Sequence, residues 1–163
     1  MSSSNPFAPP TAEVADVSVL EQSPPLWNPN AAAAWSLVFS PIFGAILHMK
    51  NWQALGQPEK AAICKNWAIG VVGFIVFLVL FSLFLPESKA LDALSRFGGI
   101  GILVAWYYNI GKSQQAFVLA RYGKTYARKG WAKPICLAVL VFLGFIVAAG
   151  IVIAVLGGFV AQG

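Results

Sequence analysis

Residues 67–85 read WAIGVVGFIVFLVLFSLFL, and residues 135–161 read ICLAVLVFLGFIVAAGIVIAVLGGFVA. No Lys, Arg, Asp or Glu interrupts either stretch, and the charge-free runs extend over 66–86 and 134–163. A helix needs about 20 mostly apolar residues to cross a hydrocarbon core of about 30 Å, so each stretch is long enough for a membrane span. The second is long enough to tilt.

The rest of the chain agrees with these two stretches. It has 163 residues, of which 58% are hydrophobic and 10% charged, with a mean hydropathy of +0.72. An ordinary soluble domain carries roughly 25% charged residues. A globule of this size has too little interior to hide the apolar surface and too few charges to cover its outside. The composition excludes a water-soluble enzyme and predicts an all-α, polytopic integral membrane protein with three to four transmembrane helices.

The other two apolar stretches are less regular. Residues 97–111 (FGGIGILVAWYYNIG) lie between Arg96 and Lys112 and span only if those side chains snorkel to the headgroups. Residues 31–49 (AAAAWSLVFSPIFGAILHM) have Ser40-Pro41 at their centre. Proline lacks an N–H and clashes with the preceding turn, so one helix should end near Phe39 and another begin with Ser40 as N-cap. The two halves form either a kinked span or a re-entrant hairpin.

Charge placement gives an orientation. Of eleven Lys and Arg residues, Lys50, Lys60 and Lys65 fall in the loop 50–66, and Lys112, Arg121, Lys124, Arg128, Lys129 and Lys133 fall in the loop 112–134. The positive-inside tendency puts both loops in the cytoplasm and the C-terminus outside, whichever form the first stretch takes. The net charge of +5 is then an orientation signal and a set of anionic-lipid contacts; no basic helix with interleaved aromatics points to nucleic acid. In the second loop, Arg121, Lys124 and Arg128 fall on one helical face opposite Ala116, Leu119, Gly123 and Tyr126, the pattern of an interfacial helix in contact with headgroups. Gly56 should close the helix begun at Pro41, and Gln57-Pro58-Glu59 should start one running straight into the Trp67 stretch.

Residues 1–30 are different material: six prolines, the acids Glu13, Asp16 and Glu21, and no base. Such a segment cannot bury enough apolar surface to offset its ordering entropy and is expected to be a disordered, Pro-rich acidic tail ahead of a helical membrane domain over 31–163. Within it, Asn5, Pro6, Phe7, Pro9 and Pro10 form a motif that resembles the Asn-Pro-aromatic-x-Pro-Pro opening of many bacterial inner-membrane proteins. Residues 27–67, with their proline-broken aromatic helix and short basic segment, resemble the first membrane region of small bacterial inner-membrane proteins of uncharacterised function. The resemblance implies a bacterial cytoplasmic membrane and no particular activity. The tail motif is a candidate site for a protein partner.

Motifs that carry catalysis are missing. His48 is the only histidine, and Cys64 and Cys136 are not in metal-ligand spacing, so neither a metal nor a cofactor is expected, and His48 reads as a solvated or capping residue. Paired carboxylates, phosphate loops and nucleophile elbows are absent. Small residues recur at four-residue spacing at Gly101, Ala105 and Asn109, and at Gly150, Ala154 and Gly158. In lipid such stripes let helices pack closely, either within the chain or in a homo-oligomer. Asn109, beside Tyr107 and Tyr108, is the most polar residue at membrane depth. The sequence therefore points to a non-enzymatic adaptor or accessory protein acting by protein contact, with immunity to a membrane-targeted toxin as one form. An oligomeric channel or small-solute permease is the alternative.

Overall fold

The computed structural model describes residues 23–84 and 89–160, and these are helical apart from short connections. The helices are α1 (Pro29–Phe39), α2 (Pro41–Ala54), α3 (Pro58–Phe84), α4 (Lys89–Trp106), α5 (Lys112–Tyr122) and α6 (Ala132–Val160), and a π-helical turn over Tyr107–Gly111 joins α4 to α5. The tail motif Asn5, Pro6, Phe7, Pro9 and Pro10 lies outside the described residues.

Local chemistry sets the ends of these elements. The Asn28 side chain accepts from the backbone N–H groups of Asn30 and Ala31, with Pro29 at the first helical position of α1. Pro41 ends α1 and opens α2. Ser40 holds the N-cap position as the sequence predicts, yet its side chain makes no cap bond. At the far end of α2, Gln57 N–H bonds to Trp52 C=O at 2.9 Å and Gly56 N–H to Gln53 C=O at 3.1 Å, a Schellman closure that needs the positive φ of 66° at Gly56. Pro58 then starts α3, which runs without a break through Trp67.

The proline break produces a fold-back. Gly44 of α2 lies against Ser36 of α1, His48 reaches Pro29, and Asn51 reaches Trp27, so α1 and α2 run antiparallel on either side of Ser40. Of the two forms the sequence left open, the described structure has the hairpin. The close approach depends on Gly44, because a Cβ there would overlap Ser36 Oγ and come within 2.5 Å of Trp106 Cη2.

Two helices, α3 over Pro58–Phe81 and α6 over Ala132–Val152, are long and apolar enough to cross a membrane. The expected number was three to four. α4 carries Asp92 and Arg96 as well as Lys89, which lowers its apolar content. It lies alongside α3 in the opposite direction, with Phe74 against Gly98 and Ile102 in a shared groove with Trp67, Gly70 and Val71.

The core sits where α2, the start of α3 and the α4–α5 junction meet, and contains Ala33, Ala45, Trp52, Ala61, Cys64, Trp106 and Ile110. The π turn keeps this junction in register. Trp106, Ile110, Gln114 and Val118 are all buried at four-residue spacing, which drifts around an ordinary α-helix by about 40° per step. One wide turn offsets the drift.

The second loop departs from expectation. The interfacial helix read over 116–128 ends at Tyr122, because Gly123 takes a φ of 68° and its N–H closes on Leu119 C=O. Lys124 and Arg128 therefore lie beyond the helix that carries Arg121, and residues 125–130 are in no helix, with Arg128 in an isolated bridge.

Candidate functional site

Ahead of α1, the chain lies beside residues 126–130. Leu26 N–H donates to Ala127 C=O at 2.9 Å and Lys129 N–H to Leu26 C=O at 2.8 Å, an isolated parallel bridge between Leu26 and Arg128. Ala127 N–H also donates to Ser23 Oγ, and the Trp27 indole N–H to Gly130 C=O. Leu26 is fully buried with Val118 and Tyr126. Lys129 Nζ lies 4.4 Å from the Trp27 ring, a cation–π contact that closes the outside of the bridge.

Three buried polar side chains hold this strap to the hairpin. Asn51 Oδ1 accepts from Trp27 N–H at 3.0 Å, and Asn51 Nδ2 donates to Trp27 C=O at 2.8 Å and to Gln114 Oε1 at 3.1 Å. Gln114 Nε2 donates in turn to His48 C=O at 2.9 Å. His48 Nε2 lies 3.1 Å from Pro29 C=O; a carbonyl only accepts, so this nitrogen carries the proton and Nδ1 is bare. Asn51 thus imitates a backbone neighbour for Trp27, tying α2, α5 and the strap together. Each such bond contributes about 1 kcal/mol net, but leaving one partner buried and unmet costs about 1–3 kcal/mol, so the clasp resists partial opening.

The sequence reading has His48 as a solvated or capping residue; it is completely buried. Its ring meets Trp106 edge-on at 5.2 Å between centroids. Burial lowers its pKa from 6.5 to about 4, against a smaller raising effect of the Pro29 bond. His48 Nδ1, an acceptor, and Trp106 Nε1–H, a donor, are both buried with no hydrogen-bond partner among the described residues. On the outer side Lys60 Nζ lies 4.6 Å from the Trp52 ring and 4.9 Å from that of Phe117. Burial pushes the Tyr126 phenol upward, with Arg128 opposing.

The residues singled out by the sequence take varied places around this clasp. Arg121 stacks over Phe117 and Tyr122, Arg128 lies 5.3 Å from the Tyr126 ring and donates to Lys124 C=O, and all three basic groups are exposed. Gly101 and Gly150 are not brought together: a Cβ at either would meet no atom within 4 Å. Ala105 is half-buried, Ala154 exposed, and Gly158 lies in α6. Asn109 is exposed and donates to Ala105 C=O one turn back at 2.7 Å. No group of three or more His, Cys, Asp or Glu that could hold a metal occurs among the described residues.

Asn51, Gln114 and Trp27, the centre of the clasp, did not stand out in the sequence. One signal was present: Gly44, His48 and Asn51 follow helical spacing on one face of α2 with Trp52 beside them, which places polar groups on the face that packs. Comparison with protein-family models, curated proteins and solved structures gives no match.

Proposed function

We propose that the chain is a non-enzymatic adaptor of the bacterial cytoplasmic membrane that acts by protein contact and presents its N-terminal tail at the basic face of the molecule. The single observation that supports this is the clasp. Asn51 binds both backbone groups of Trp27, and Leu26 pairs with Ala127 and Lys129, so the buried polar groups of the clasp hold backbone in place. The tail that precedes Ser23 therefore starts beside Lys124, Arg128 and Lys129. In this reading α3, α4 and α6 cross the bilayer, the hairpin dips in and returns, and the C-terminus is outside. Arg121, Lys124 and Arg128 meet anionic headgroups at about 1 kcal/mol per charge near the surface.

The tail motif Asn5, Pro6, Phe7, Pro9 and Pro10 is the contact site for a partner, and the two small-residue stripes, Gly101 with Ala105 on α4 and Gly150, Ala154 and Gly158 on α6, each pack against another helix. Immunity to a membrane-targeted toxin is one concrete form of this role. Deleting residues 2–22 should abolish the phenotype that the full-length gene restores to a deletion strain, while the protein still inserts. Purified protein in sealed vesicles should give no ion or solute flux above that of empty vesicles. Flux that Asn109→Leu abolishes would replace this reading with a channel.

A further inference from the structure

We propose that the α1–α2 hairpin is a wedge confined to the cytoplasmic leaflet, an interaction surface whose partner is the acyl chains of that leaflet. The inference rests on the membrane reading above and is independent of the tail. Two contacts within the molecule give the depth by residue count. Lys60 on Trp52 aligns α2 with α3, and counting outward along antiparallel helices brings Pro41 beside Val71. That is six residues, or about 9 Å, past Lys65, the last charge on α3. Separately, Trp106 against Gly44 sets Gly44 six residues deeper than Lys112, and Ser40 lies four residues further on. The tip then lies about 15 Å below the level of Lys112. Half of a hydrocarbon core is about 15 Å, so the tip lies between about 9 Å deep and the midplane and does not enter the far leaflet.

The chemistry of the tip fits that occupant. Leu37 is 74% exposed and Val38 68%. Trp35, Phe39 and Phe43 form a row of rings 5.7 and 5.2 Å apart. No charged residue occurs between Glu21 and Lys50. The exposed apolar surface continues onto the neighbouring turns of α3 at Ile69 and Val72, which face lipid in the same reading. At the base, the clasp and the Lys60 cage hold the hairpin at the level of the basic groups. The spans fill both leaflets equally, whereas the hairpin adds two helix cross-sections to one. A wedge of this kind prefers a leaflet whose outer zone is expanded, as on a membrane curved toward the cytoplasm.

The test uses the full-length protein carrying Cys136→Ser, with the buried Cys64 retained. Single cysteines replace Val38, Gln53 or Val76 and carry a fluorophore, in phosphatidylethanolamine and phosphatidylglycerol vesicles with a nitroxide on the headgroup, near the carbonyl end of the acyl chain, or at its methyl end. The Gln53 label should be quenched most by the nitroxide on the headgroup and the Val76 label by that at the methyl end, and the Val38 label should fall between them, with a lower ratio of methyl-end to carbonyl-end quenching than Val76. A Val38 ratio equal to or above that of Val76, or a Val38 label quenched by none while Val76 responds, overturns the wedge. A Val76 label that no nitroxide quenches overturns the membrane reading itself. In a tether drawn from a giant vesicle with cytoplasmic faces outward, the protein should be enriched about twofold over the flat membrane. Leu37→Gln with Val38→Gln should return that ratio to one, and a ratio of one without the substitutions also overturns the wedge.

Discussion

Along α6, Leu137, Leu140, Val141, Phe142 and Phe145 are each more than half exposed, whereas at the base of the hairpin Trp52, His48, Asn51 and Gln114 are at most 1% exposed. The usual arrangement of a water-soluble protein is reversed: the most apolar helix is bare and the buried side chains include an imidazole and two amides. The reason is what each region must achieve. α6 needs only a continuous apolar surface, which many sequences supply. The hairpin base must fix one strap, two short helices and one junction in a single arrangement, and directional hydrogen bonds do this where apolar contacts tolerate sliding. Apolar exposure and directional hydrogen bonding are thus separate properties held by separate residues.

Substituting one glycine in each region tests that separation most severely. Gly44→Leu forces a side chain into the space of Ser36 and Trp106 and should destabilise the folded protein by about 3 kcal/mol, measured by denaturant titration in micelles. Gly150→Leu meets no atom within 4 Å and should not destabilise the single chain, leucine in a helix interior being favoured over glycine by up to about 1 kcal/mol. Equal losses at both sites would end the distinction. If Gly150→Leu instead lowers the oligomeric state without changing monomer stability, the small-residue stripe is a seam between copies.

What the sequence made legible follows the same division. The absence of charge over 66–86 and 134–163 located α3 and α6, because a helix long and apolar enough to cross a membrane is recognised from composition alone. The Ser40-Pro41 break and the Gly56 closure were legible because proline and glycine act through their own backbone. The fold-back was not, since Pro41 is compatible with a kink or a reversal and only the fit of Gly44 under Trp106, sixty-two positions along the chain, decides between them. The clasp was hidden for a related reason: Asn51 and Gln114 are unremarkable until the two helices meet. The interfacial helix over 116–128 failed at Gly123, where one left-handed residue outweighs a face of periodic charges.

Acid should act on one region and not the other. Apart from the Cys136 thiol, α6 after Lys133 has no ionisable side chain, so nothing in it titrates below neutrality. His48 has a folded pKa of about 4 against 6.5 when unfolded, so between those values the unfolded state binds more protons. Stability is therefore full above about pH 6.5, falls as the pH drops toward about 4, and levels off below, a total loss of about 3 kcal/mol. His48→Gln should flatten that slope while its amide still donates to Pro29. An unchanged slope in the variant would assign the acid sensitivity to other groups.

The smallest expected effect lies at the hinge of the hairpin. Ser40 has φ 140° and ψ 163°, a conformation largely reserved for glycine that costs a residue with a Cβ about 1–3 kcal/mol. The surrounding structure imposes it. Ser40 N–H is held by Ser36 C=O and its own C=O by Phe43 N–H, each at 3.1 Å, while Pro41 bars a continued helix. Ser40→Gly relieves the strain but gives the unfolded chain more freedom, which returns about 0.4–1 kcal/mol of the gain. The net stabilisation should be about 1 kcal/mol, seen as a rise of a few degrees in Tm. Ser40→Ala keeps the Cβ and should leave Tm unchanged, because the hydroxyl makes no cap bond. If alanine lowers Tm as far as glycine raises it, the hydroxyl holds the tip; if both raise it, serine was destabilising through its oxygen and not through its backbone.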